Sequence, residues 1–186
     1  YGAVHSALFR RRCAAPFWSK WLGDAKKSGG GVFDLLIHDV DFCIQLFGVP
    51  DAVSATGHED LPKGIDTITA TLHYREVPSV TITGGWHHRK AYPFSMEYTV
   101  VAEEGTFDFS SVSGDTILYD AQGESQTVKV PEEDAFEAEL RYFLECCTHH
   151  RAPDFCPPEQ SAAAVGITRL MAEARNKKGE KLKCPS

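Results

Sequence analysis

The sequence predicts an α+β domain, an open and mostly antiparallel sheet with helices packed on one face. Period-two alternation recurs in three runs, through residues 67–74, 79–86 and 94–101. An amphipathic helical stripe precedes these runs and two more follow them. Strand, helix, a block of strands and then two helices is an order that segregates helices to one side of a sheet.

The elements follow in order. Ala3 to Phe9 alternates loosely and reads as a first strand, closed by Arg10-Arg11-Arg12 and a loop holding Pro16, Trp18 and Trp21. Ser28-Gly29-Gly30-Gly31 reads as a flexible junction. Phe33, Ile37, Val40, Ile44 and Phe47 then recur at three- and four-residue spacing, the mark of a buried helical stripe. Gly48 stands where a C-cap glycine belongs, and Pro50 ends the helix.

In the strand block, Ile68, Ala70, Leu72 and Tyr74 share one face and Thr67, Thr69, Thr71 and His73 the other. Val80, Ile82, Gly84 and Trp86 oppose Ser79, Thr81, Thr83 and Gly85, and Phe94, Met96, Tyr98 and Val100 oppose Ser95, Glu97, Thr99 and Val101. Such alternation gives a sheet with one face on a core. Short strands near 105–109, 116–119 and 126–130 extend it. A helix from Glu132 to His149 carries Phe136, Leu140, Phe143 and Leu144; one from Glu159 to Asn176 carries Ala163, Ile167, Leu170 and Met171 and ends at Lys177-Lys178-Gly179. The Thr-rich second face is either solvated or a contact with another subunit, since β-branched residues pack well on pleated surfaces.

Composition narrows the function. The 186 residues are 42% apolar and 24% charged, with 19 Lys plus Arg against 26 Asp plus Glu and a net charge of −7. That balance opposes phosphate neutralisation, so no nucleic-acid partner is expected. No apolar run approaches the ~20 residues that span a bilayer, so no membrane partner is expected either. Eleven Phe, three Trp and six Tyr can build a core, which excludes disorder. The six cysteines contain no CxxC pair and read as reduced thiols of a cytoplasmic protein.

One segment carries chemistry: Gly29-Gly30-Gly31-Val32-Phe33-Asp34-Leu35-Leu36-Ile37-His38-Asp39-Val40-Asp41. On a regular helix Asp34, His38 and Asp41 stand at i, i+4 and i+7 and project from one face. A carboxylate one turn before an imidazole orients the ring and favours its protonated form, the arrangement a general acid/base needs. The same spacing also suits a solvated helix face, or two ligands of a metal site for which nothing nearby supplies a third; no metal is expected.

The stretch GGGVFDLLIHDVDFCIQLFGVP resembles the signature of the Gfo/Idh/MocA oxidoreductases, NAD(P)-dependent dehydrogenases and reductases of sugars, polyols and related carbonyl compounds. The resemblance continues through Val53-Ser54-Ala55, the strand at 66–74, the Glu104-Gly105-Thr106-Phe107 turn and the closing helices. It implies that His38 is the catalytic histidine, that Asp34 orients it and that Asp41 lies near substrate hydroxyls. It also implies NAD or NADP as cofactor, a sugar or polyol substrate, and a homodimer or tetramer through the open sheet face. Residues 1–186 then form a single C-terminal substrate-binding and oligomerisation domain. The Rossmann domain is absent from this chain, which has neither GxGxxG nor Glu-Lys-Pro, and no cofactor is expected to bind it alone. Secondary substrate candidates are Arg11, within the arginine run, and Trp86 and His87, which with His88 and Tyr92 suit an aromatic wall for a sugar ring.

Overall fold

The computed structural model describes residues 1–130 and 133–185. Nine strands form one sheet: β1 (Val4–Ala14), β2 (Ala52–Asp60), β3 (Ile65–His73), β4 (Ser79–His88), β5 (Ser95–Ala102), β6 (Gly105–Ser110), β7 (Thr116–Asp120), β8 (Ser125–Thr127) and β9 (Leu182–Lys183). The spatial order is β8-β7-β6-β5-β1-β4-β3-β2-β9. β1 is the centre, running parallel to β4 and antiparallel to β5; the remaining neighbours pair antiparallel. The α+β architecture is as expected.

The helices are α1 (Ala25–Ser28), α2 (Ile37–Phe47), α3 (Ala135–Thr148) and α4 (Pro158–Asn176). α2 and α4 cover the β1–β4–β3–β2 half. There Phe9, Ile82, Ile68 and Leu72 from the strands meet Leu36, Val40, Ile167 and Met171 from the helices, all nearly inaccessible. Alternation therefore converts directly into a one-sided core.

Several elements differ from the sequence reading. β1 does not stop at Phe9 but runs on to Ala14, because the arginines alternate as the apolar residues do. Arg10 and Arg12 meet Glu97 on the next strand, while Arg11 turns inward to Asp39. β2, absent from the expected block, pairs with β3 from Ala52–His73 to Asp60–Ile65. Finally, the stripe of α3 faces solvent: Phe136, Leu140, Phe143 and Leu144 are all exposed, and Cys146 is the helix's one buried residue. Periodicity reports a face that needs covering; among the described residues no element covers it. The expected first residue of this helix, Glu132, lies outside the described residues.

Candidate active site

The glycine run is a packing device. Gly30 has φ +81°, and a Cβ there would stand 2.5 Å from Asp66 Oδ2. A Cβ on Gly31 would meet Trp86 Cγ at 2.6 Å. The chain therefore crosses the ends of β3 and β4 in van der Waals contact, which only glycine permits. Asp66 is almost wholly buried, and its Oδ2 accepts the amide hydrogen of Val32 at 2.9 Å. That satisfies a donor of the first helical turn and sets a negative charge at its positive end. The other oxygen, Oδ1, accepts from Arg175 Nη1 of α4 at 2.5 Å, and Arg175 also pairs with Glu59. Two carboxylates thus compensate a buried guanidinium, and the start of the site helix is tied to β3 and α4.

Residues Val32–Leu36 form a π-helical turn that passes into α2 without a break. Such turns are rare and cluster at functional sites. The wide turn shifts Asp34 against His38, so the single row expected of a regular helix is not kept. Asp34 turns to β4 and accepts from Trp86 Nε1 at 3.2 Å. His38 is exposed, and among the described residues its ring has no hydrogen-bond partner. Asp41 turns toward α4, where Gln160 Nε2 approaches its Oδ1 at 3.4 Å.

The other candidates are distributed as follows. Arg11 gives both arms of its fork to buried Asp39, Nε to Oδ2 at 3.0 Å and Nη2 to Oδ1 at 2.9 Å. Trp86 lies under Gly31, 3% exposed, where it carries Asp34 instead of presenting an open ring face. His87 is exposed at the end of β4. Its ring lies 4.1 Å from that of His88, which stacks on Tyr92 at 3.7 Å.

Asp34 lines a cavity of about 500 Å3 with Cys13, Trp18, Lys90, Tyr92 and Phe94. Aromatic walls around one carboxylate and one amine suit a ring bearing hydroxyls. Burial, assisted by the charge of Asp34, pushes the Cys13 thiol up to about 11, so it is no nucleophile here. A larger cleft of about 730 Å3 beside α3 contains none of the expected site residues. Among the described residues no group of three or more His, Cys, Asp or Glu is placed to hold a metal. At Gly30 and Gly31 the side on which a Cβ would stand is taken by Asp66 and Trp86.

Residues 1–108 match the model of the GFO/IDH/MocA C-terminal domain. The chain belongs to this family. Solved structures that resemble it include the UDP-N-acetylglucosamine 3-dehydrogenase of Acidithiobacillus ferrooxidans (TM-score 0.77, 19% identity, 94% of this chain and 54% of that one). A levoglucosan dehydrogenase in complex with NADH and levoglucosan aligns with TM-score 0.81 at 14% identity, covering 99% of this chain and 59% of that one. The aldose-aldose oxidoreductase of Caulobacter crescentus, complexed with glycerol, gives 0.81 and 15%, over 98% and 56%. At these identities the likeness is one of fold. The chain spans little more than half the length of each. No curated protein matches it, and no helix among the described residues is long and apolar enough to cross a membrane.

Within this GFO/IDH/MocA domain, sequence reasoning missed Asp66 and Arg175. They stand 109 positions apart, and neither lies in a motif. The one signal available was an acidic residue opening an otherwise apolar and threonine-rich strand.

Proposed function

We propose that this chain is the substrate-side domain of an NAD(P)-dependent oxidoreductase acting on a sugar, polyol or related carbonyl compound. The observation that carries the reading is Asp34, anchored by Trp86 in an aromatic-walled cavity one turn before an exposed imidazole. His38 takes the hydroxyl proton as the carbon is oxidised and returns it on reduction. Asp34 orients the substrate, and Asp41 stands farther along α2 toward Gln160. Arg11 and Trp86 serve as positioning residues, one bracing α2 through Asp39 and the other holding Asp34. A nicotinamide supplies the hydride chemistry and is held by a dinucleotide domain outside this chain. The test is NAD- and NADP-linked oxidation of a sugar and polyol panel by the intact protein. Turnover of at least one member is expected; silence across the panel with both nucleotides contradicts the reading.

The open face supports a second role, homodimerisation. Opposite the helices, Leu8, Arg10, Thr69, Thr71, Thr81 and Thr83 form ordered rows, and the Thr69 and Thr83 hydroxyls lie 2.7 Å apart. Light scattering of the chain, alone and with Thr83→Glu, tests it. A dimer that Thr83→Glu dissociates is expected, and a strict monomer contradicts it.

A further inference from the structure

Beside the Asp34 cavity lies a second one of about 450 Å3, lined by Phe17, Lys63, His87, His88, Arg89 and Lys90 with the backbone between Gly64 and Ile65. Five of these side chains are basic and none is acidic, in a chain whose net charge is −7. Lys63 is held by Asp60 at 2.7 Å; among the described residues Arg89 and Lys90 have no acidic partner. Lys90 lines both this cavity and the one that holds Asp34, which places the two side by side. His88 Nε2 is buried without a hydrogen-bond partner, although donors and acceptors in such positions are normally satisfied.

We infer that this basic cavity receives a phosphoryl group of the substrate, so that the enzyme acts on a phosphorylated sugar, its ring against Asp34 and its phosphate among Arg89, Lys90 and the His87–His88 pair. The inference rests on the dehydrogenase reading. The ammonium of Lys90, the forked guanidinium of Arg89 and two imidazoles together offer donors enough for the three oxygens of a dianionic phosphate. Burial and the nearby charge of Arg12 hold both imidazoles below their ordinary range, and His87 adds to the effect on His88.

The test needs no turnover. Inorganic phosphate is titrated into the 186-residue chain while the imidazole C–H resonances of its eight histidines are followed by NMR. Saturable shifts confined to His87 and His88 are expected, with half-saturation raised at least tenfold in Arg89→Ala/Lys90→Ala. Phe17→Ala, which removes no charge, should leave the resonances dispersed and binding within about threefold, whereas a tenfold loss there would contradict a charge-based site. Shifts spread over all eight histidines, or equal affinity in the double variant, overturn the inference. Failure here, with turnover of unphosphorylated sugars by the intact protein, leaves the dehydrogenase reading standing. Selective phosphate binding without any NAD(P)-linked turnover removes that reading and keeps the anion site.

Discussion

The indole Nε1 of Trp86 donates to Asp34 Oδ2 at 3.2 Å, joining the end of β4 to the π-turn that opens the site helix. Trp86 is itself packed against Gly31, so the end of β4 and the glycine run together set the position of one carboxylate.

Trp86→Phe keeps the buried ring and removes the donor. A hydrogen bond of this length to a carboxylate contributes about 1 kcal/mol, so kcat of the intact enzyme should fall roughly fivefold with KM nearly unchanged. Steady-state kinetics on the best panel substrate check this.

Gly31 has ordinary helical backbone angles, so Gly31→Ala is a test of space alone. Its Cβ would press on Trp86 Cγ and the Trp86 backbone nitrogen. Overpacking of this kind costs about 1–3 kcal/mol, read as a lower urea midpoint, and should shift tryptophan fluorescence.

Arg175 and Asp66 form a pair with both side chains at most 5% exposed. Arg175→Met leaves the buried Asp66 carboxylate without its cation and should destabilise by about 3–5 kcal/mol, whereas Asp66→Asn leaves Arg175 its pair with Glu59 and should cost less. Asp66→Asn also weakens the acceptor for the Val32 amide. The double variant should lose much less than the sum of the singles, which a double-mutant cycle in urea reads as coupling.

Cys13 ionises at about 11 in the fold, against 9.0 for the free thiol. The folded state therefore favours the neutral thiol, and its contribution to stability is intact below pH 9 and lost as pH rises toward 11. At pH 8 iodoacetamide should label exposed Cys147 while Cys13 and buried Cys43 stay unmodified, as mass spectrometry would show.

The strands at 65–73 and 79–88 were legible because Thr or Ser alternates with apolar residues, that at 95–102 because Ser, Glu and Thr alternate with Met, Tyr and Val, and α2 because its stripe is closed by Gly48. β2 was not: Ser54, Thr56 and His58 alternate with residues as small as Ala55 and Gly57, so the period carries little hydropathy contrast. The Asp34/His38/Asp41 motif was legible as a spacing, yet its geometry was not. A regular helix was assumed where the chain makes a π-turn, a choice fixed by packing on β4. The inward turn of Arg11 and the Asp66–Arg175 pair depend on long-range register, which local patterns do not encode. The stripe of α3 was read correctly as apolar, but periodicity cannot say whether a partner lies within the chain.

The central claim is that His38 moves the substrate proton. The most direct measurement is kcat of the intact enzyme carrying His38→Ala, with and without added imidazole. The predicted result is a fall of about 10²–10⁴ with the fold unchanged by circular dichroism, partly restored by imidazole. Unchanged turnover in His38→Ala would contradict the claim.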